Sequence, residues 1–405
     1  MTIRAQIAFD LSLTTGVNFF TLDDVDKGVL DNTSYVLGGD ALIDVTQYVR
    51  EISVKRGRSR ILEKFTAGQA NLSLDNRTRI FDPAYAAGPY FGQILPRKQL
   101  VIDNDGEEIF TGFIEDWNFS YPQAGFDAVA EVSASDGFSI LAQQTLSAGT
   151  ATAQLSGARV SAELDAVGWS TVKRDIGTGQ STLDADVIPA ATNVLQYLQK
   201  VETSEFGALF MDRAGAVAFR DRAELQAFTT GITFSSSGIP YRDISIVWGT
   251  EEMKNSVSIT YTSGGSVAGT AIADDFTAQA AYGIMDASYA TILSSPTEAA
   301  ALASWLVGLY AQPQYRVDSL TVRLEAITSG QKASVLDLDL GDVVRVEFTP
   351  SGIGAVVSQI VSIDQISHQI STDRHDVTFT LSETLAAFIL DDAVFGVLDD
   401  DILGF

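Results

Sequence analysis

The sequence has no cysteine and only two histidines, His368 and His375. Without thiols there can be no disulfide and no thiolate metal site. That absence suits a cytosolic protein and a robust extracellular particle equally well. Zinc takes three or four ligands at characteristic spacings. The histidine pair, in a predicted hairpin beside Asp373 and Asp376, offers no such set and reads as two exposed turn residues. So few histidines also argue against a Ser-His-Asp triad.

Positive charge is scarce too. There are 26 Lys and Arg against 52 Asp and Glu, a formal net charge of -26. Phosphate backbones are bound through Lys and Arg that displace counterions, so stable nucleic-acid binding is excluded, although DNA in transit is not. Anionic membrane surfaces are disfavoured on the same ground. Long apolar runs are missing: Ala299–Ala311 falls well short of the ~20 residues needed to span a bilayer. Met1–Leu13 carries one Arg and no continuous apolar stretch, so no secretory signal is expected, only a soluble protein made in a cytoplasm.

What is present is a globular composition, 46% hydrophobic over 405 residues. Such a chain can bury sizeable cores in two or three domains. Most of it reads as β. Period-two alternation marks 256–261, 319–325, 343–348 and 376–381, placing one face on a core and the other in solvent. Turn residues punctuate the strands at Asp103-Asn104-Asp105-Gly106, Ser263-Gly264-Gly265 and Pro350-Ser351-Gly352. Two helices stand out. Ser295-Pro296-Thr297-Glu298 is a capping box that opens a buried, Ala-rich helix ending before Pro313. A second helix spans about 193–205, with an apolar stripe at Val194, Leu195, Leu198 and Val201. A hairpin follows it, turning at 212–215.

Catalytic motifs fail one by one. Gly264-Gly265-Ser266-Val267-Ala268 ends in Ala and lacks the strand-to-helix context of a nucleophile elbow. Gly177-Thr178-Gly179 lacks the third glycine of a dinucleotide loop. Asp103–Gly106 starts like a calcium loop, but the later acids do not follow, and a tight hairpin turn explains it better. Among 52 acids no carboxylate pair singles itself out for glycoside hydrolysis. No enzyme, cofactor or metal is expected.

Three other features carry information. Residues 50–98 hold ten Lys or Arg against four acids, a basic island of net +6 in an acidic chain. Its densest part, Arg50, Lys55, Arg56, Arg58, Arg60 and Lys64, is a candidate contact for acidic arms or a neighbouring subunit, with a solvated face as the alternative and a nucleic-acid patch as a third reading that the lack of interleaved aromatics over 55–64 disfavours. Second, Leu22-Asp23-Asp24 followed by Gly28-Val29-Leu30-Asp31 recurs at identical spacing as Leu390-Asp391-Asp392 and Gly396-Val397-Leu398-Asp399. These are candidate docking arms for equivalent surfaces. Third, strands at 100–102, 110–116 and 128–132 have counterparts at 343–346, 359–364 and 377–381. Each set reads as strand, hairpin, long bent strand, turn, strand, which suggests two related β units around an α+β insert.

Asp44–Arg50 through Arg56–Arg60, with Phe65–Ala70, Leu72–Arg77 and Phe81-Asp82-Pro83, resembles the minor tail proteins of long-tailed phages of actinobacteria. The Leu-Asp-Asp…Gly-Val-Leu-Asp segments also occur in that group. Pro96-Arg97-Lys98-Gln99 departs from it, since Pro-Gly is the expected turn. The resemblance implies a mainly β baseplate hub with two tube-like β-barrels and an α+β insert. The expected divisions are an arm over 1–40, barrels over 41–147 and 241–385 flanking an insert over 148–240, a buried helix at 296–312, and an acidic arm over 386–405. It further implies a homotrimer at the tail tip of the virion, assembled in the host cytoplasm. The implied partners are the distal tail protein or tail tube protein, the tape measure protein and receptor-binding tip proteins. Two barrels in each of three chains would mimic six units and so adapt sixfold to threefold symmetry. A hexameric distal tail ring, a receptor-binding tip and a cell-wall hydrolase are the competing readings.

Overall fold

The computed structural model describes residues 3–10, 40–60, 63–226 and 231–383. Within the stretch expected as a terminal arm, Ile3–Asp10 forms strand β1. It is followed by Asp40–Asp44 (β2), Val49–Gly57 (β3), Thr66–Asp75 (β4), Gln99–Asn104 (β5), Glu107–Ser120 (β6) and Val129–Ser135 (β7). The Asp105-Gly106 turn between β5 and β6 has φ of 56° and 94°, the double positive φ that closes a two-residue hairpin.

The middle of the chain supplies helices Ser156–Ala166 (α1) and Val194–Glu205 (α2), then the hairpin Ala208–Met211 (β8) and Val217–Arg220 (β9). Asn193 caps α2 by accepting the Gln196 N–H at 3.0 Å. Beyond it lie Thr233–Phe234 (β10) and Asp243–Gly249 (β11). Next comes a separate small sheet of Ser256–Ser263 (β12), Ser266–Asp274 (β13) and Asp286–Tyr289 (β14). Helix Pro296–Tyr310 (α3) packs Leu302 and Leu306 against Val257 and Ile259 of that sheet. Ser295 accepts the Glu298 N–H at 3.2 Å, but the Glu298 carboxylate reaches Arg222 at 3.2 Å instead of returning to the cap. The last strands are Gln314–Arg323 (β15), Val343–Phe348 (β16), Val357–Ser371 (β17) and Arg374–Glu383 (β18).

One thirteen-stranded sheet runs through both ends of the sequence, in the order β11-β15-β18-β17-β3-β4-β7-β6-β5-β1-β2. Beside β17 lies β16, and beside that β10. The order holds a repeat. The first half reads β3-β4-β7-β6-β5-β1, and the second reads β11-β15-β18-β17-β16-β10. They differ in that β1 runs antiparallel to β5 whereas β10 runs parallel to β16. They differ also in length, because β3 joins β4 through residues 58–65 while the small sheet and α3 lie between β11 and β15.

The repeat extends to single residues. β6 breaks register against β7 between Ile114 and Asp116, and β17 against β18 between Ile363 and Gln365. The extra residue is acidic in each case and bears an arginine: Glu115 with Arg97 at 3.1 Å, Asp364 with Arg58 at 2.8 Å. Arg97 N–H donates to Ile114 O at 2.6 Å, and Ile114 N–H to Lys98 O at 2.9 Å. In the second half Gly341 donates to Ile363 O at 2.8 Å, and Ile363 to Asp342 O at 2.9 Å. Arg97 has φ of 66° and Gly341 of 86°. The departure noted at Pro96-Arg97 therefore keeps the glycine-type corner but fills it with an arginine, at a cost of roughly 1–2 kcal/mol.

The halves meet where β17 adds itself to β3, from Gln365 opposite Gly57 to Ser371 opposite Glu51. Gly57 has φ of 117°, and a Cβ there would lie 2.2 Å from the Asp364 carbonyl oxygen. Only glycine allows that approach. Ile52 and Val54 of β3 are buried with Ile366 and Ile370 of β17. Each such side chain contributes on the order of 1.5–3 kcal/mol.

Candidate assembly surfaces

Alternation along β3 decides the fate of the basic island. Its odd-numbered positions point outward, so Lys55 is exposed, whereas Arg56 faces inward and is 3% exposed. Arg56 donates to Asp339 Oδ1 at 2.8 Å and to the Met211 carbonyl at 3.3 Å. Arg58 holds Asp364 and covers the Phe65 ring at 4.5 Å. Two of the six candidate contacts are thus spent inside the chain, tying β3 to the second half. Arg60 pairs with Glu251 at the surface. Arg50 pairs with Asp127 at 2.7 Å and Asp75 at 3.3 Å, a partly exposed cluster. Lys64 is exposed at the mouth of a cavity.

That cavity, about 410 Å³, is lined by Arg58, Lys200, Arg222, Tyr289 and Trp305 among others. It also contains Glu202, whose Oε1 accepts the Leu209 N–H at 3.0 Å while Oε2 has no partner among the described residues. Burial pushes the Glu202 carboxyl up to about 7. Glu383 lines the same space, and the acidic C-terminal segment starts just beyond it. The candidate arm residues Leu22, Asp23, Asp24, Gly28, Leu390, Asp391, Asp392 and Gly396 lie outside the described residues.

The histidines need correction. The hairpin β17–β18 forms as expected, but both rings are buried and not exposed. His368 Nδ1 lies 2.9 Å from His375 Nε2, and Asn104 Nδ2 lies 3.1 Å from His375 Nδ1. His368 alternates with buried Ile366 and Ile370 on the inward face of β17, His375 lies opposite Ile370, and Asn104 of β5 packs onto them. Burial moves His375 down to about 3, and His368 also falls well below the ordinary range through burial and its neighbour's charge. The pair is a neutral, hydrogen-bonded strut between β5 and the β17–β18 hairpin. Asp136, buried beside Arg56, accepts the Gly68 and Phe138 N–H groups at 2.6 and 3.0 Å, and burial raises it to about 7.

The sheet ends in free strands. β11 pairs with β15 on one side and with no described strand on the other. Its Trp248 is 67% exposed and lies 6.2 Å from Tyr315. β6 pairs with β5 only over 107–113, so beyond the bulge its outer side meets no described strand. There Trp117 and Phe119 stack, half-buried, 6.5 Å apart, and Tyr121 is 50% exposed. Neither edge was singled out in the sequence, though the alternation Ile244, Ile246, Trp248 was available to find β11. Among the described residues no group of three or more His, Asp or Glu could hold a metal. No described helix is long and apolar enough to cross a membrane.

No family model matches the sequence, and no curated protein does. The fold does have relatives among solved structures. The 43 kDa tail protein of prophage MuSo2 from Shewanella oneidensis superposes with a TM-score of 0.57 at 12% identity, covering 86% of this chain and 97% of that one. The tail protein from Neisseria meningitidis MC58 gives 0.58 at 11% identity, covering 95% and 97%. The chain is therefore a mainly β protein with the fold of phage-type tail proteins.

Proposed function

We propose that the chain is a structural, non-catalytic component of a phage tail, the baseplate hub of a long-tailed actinobacteriophage, working as a homotrimer. The observation that carries this reading is the repeated strand order, with its shared bulge and positive-φ corner. Two like units per chain allow three chains to present six, which can stack on a sixfold tail tube or distal tail ring. Its neighbours would be the distal tail or tail tube protein, the tape measure protein and the receptor-binding tip proteins. The acidic arms carrying Leu22-Asp23-Asp24 and Leu390-Asp391-Asp392 would dock on equivalent surfaces of that assembly. Of the six candidate contacts, Lys55 and Lys64 remain outward-facing and available to acidic neighbours, and Arg60 is exposed but shared with Glu251.

The net charge of -26 fits a channel through which DNA passes without sticking. The mass of the assembly purified from tails tests the reading. Three copies are expected. Six copies would favour the distal tail ring, and a single copy would end the ring account.

A further inference from the structure

The junction inside the chain supplies a template for a junction between chains. In the second half, the outer part of β17 beyond its bulge is covered by β3, the first strand of the repeated order in the other half. The equivalent stretch of β6, where Trp117 Nε1 donates to the Leu95 carbonyl at 3.2 Å, pairs with no described strand on its outer side, and neither does β11, the strand equivalent to β3. The registers align the two halves at both ends of these strands, although the extra residue of β15 falls between Ser245 and Ile246 and that of β4 between Lys55 and Gly57. Ile114 corresponds to Ile363, each opposite its own neighbour Ala134 or Leu381. Ile52 opposite Leu72 corresponds to Ile244 opposite Leu320. The last residue of β3, Gly57, then falls on the last residue of β11, Gly249.

We infer that β6 of one copy pairs antiparallel with β11 of the next, in the register that β17 uses with β3. This places Asp116 opposite Gly249, Asn118 opposite Val247 and Ser120 opposite Ser245 of the adjoining copy. On the apolar face, Trp117 meets Trp248 and Phe119 meets Ile246.

Three observations support that occupant. The first is burial. At the internal junction Ile366 and Ile370 are 2% and 4% exposed, but their equivalents Trp117 and Tyr121 are half-buried and 50% exposed. Likewise Val54 and Arg56 are 1% and 3% exposed, whereas Ile246 and Trp248 are half-buried and 67% exposed. The second is glycine. Gly57 is needed because a backbone passes within 2.2 Å of its missing Cβ. A Cβ on Gly249 would meet no described residue closer than 4.0 Å, which leaves space for such a backbone. The third is composition: tryptophans at both bare edges are the residues that anchor protein interfaces, and unpaired strand edges ordinarily carry charge to prevent pairing. Neither β6 beyond Asp116 nor β11 beyond Asp243 carries a charged residue.

The contact joins different surfaces of the two copies, so it is heterologous and closes only as a ring. The pairing rests on the ring reading for that closure alone.

The absence of cysteine makes the register directly testable in the full chain. Opposed residues on antiparallel strands have Cβ atoms ~4.5–5.5 Å apart, within disulfide reach. Lys55→Cys with Ser367→Cys, opposed inside the chain, calibrates the chemistry by forming an intrachain bond. Asn118→Cys with Val247→Cys should then give covalent multimers under mild oxidation, ending at the copy number found by native mass. Asp116→Cys with Ser245→Cys, four residues out of register, should give none. Multimers from the offset pair, or an oligomer that neither pair cross-links, would overturn the pairing and leave the ring standing. A single-copy mass at every concentration would overturn both. Trp248→Asp adds a second readout: the oligomer should dissociate while the thermal midpoint of the single chain stays put.

Discussion

The two halves of the sheet place the same strands in the same order, yet their first strands live in different surroundings. β3 is closed over by β17, and β11 is open. At the closed strand an inward position accepts a charged residue, Arg56, held by Asp339 and a carbonyl. At the open strand the equivalent position is Trp248, facing solvent. Whether a strand has one neighbour or two decides which side chains it tolerates, and a charge buried with its partner is a sign of the second neighbour.

The sharpest break in this comparison is glycine. Gly57→Val should cost roughly 3–5 kcal/mol, because it combines a clash with backbone and a positive φ. Gly249→Val should leave the melting temperature of the single chain within about 2 °C and act on assembly alone. Chemical denaturation of both variants checks this, and equal losses would mean that Gly249 is covered as closely as Gly57 and that the contrast between closed and open strand fails. Arg56→Ala should cost about 3 kcal/mol by leaving Asp339 half-satisfied and a void beside Asp136. Trp248→Ala should change stability by no more than about 0.5 kcal/mol.

The corner residues give a smaller contrast of opposite sign. Gly341→Ala should lose about 1–2 kcal/mol, whereas Arg97→Gly should gain up to about 1 kcal/mol despite losing its contact with Glu115.

The last contrast is in pH. Asp136 and Glu202 have folded values raised to about 7, so their favourable contribution is full in acid and is lost as pH rises toward 7. His375 lies at about 3, so its contribution is present above 6.5 and is lost as pH falls from there toward 3. A stability profile should therefore be domed, and Asp136→Asn should flatten its neutral limb while His375→Gln flattens its acid limb.

Much of the local structure was legible. Alternation located β16 at its observed bounds, an apolar stripe located α2, and a capping residue fixed the start of α3. The meander repeat was readable because a bulged long strand leaves a recognisable pattern. The assembly surface was not. Arg56 and Arg58 read as surface charges because nothing local buries them; residues distant in the sequence do, Met211 and Asp339 at Arg56 and Asp364 at Arg58. The histidines misled for a like reason, since the inward face of their hairpin is closed by Asn104 of β5, far away in the sequence. Edges, too, are properties of a whole sheet, and no window of sequence contains one.

The junction between β3 and β17 also has a history. Ile52 is matched with Ile370, more than three hundred residues later in the chain. During synthesis β3 must wait, its edge open, until residues 365–371 have left the ribosome. Contacts so distant close slowly, and an open strand in the interim invites the wrong neighbour. The β11 edge of a finished copy is such a neighbour, so premature chain-to-chain pairing is the misfolding hazard built into a duplicated sheet.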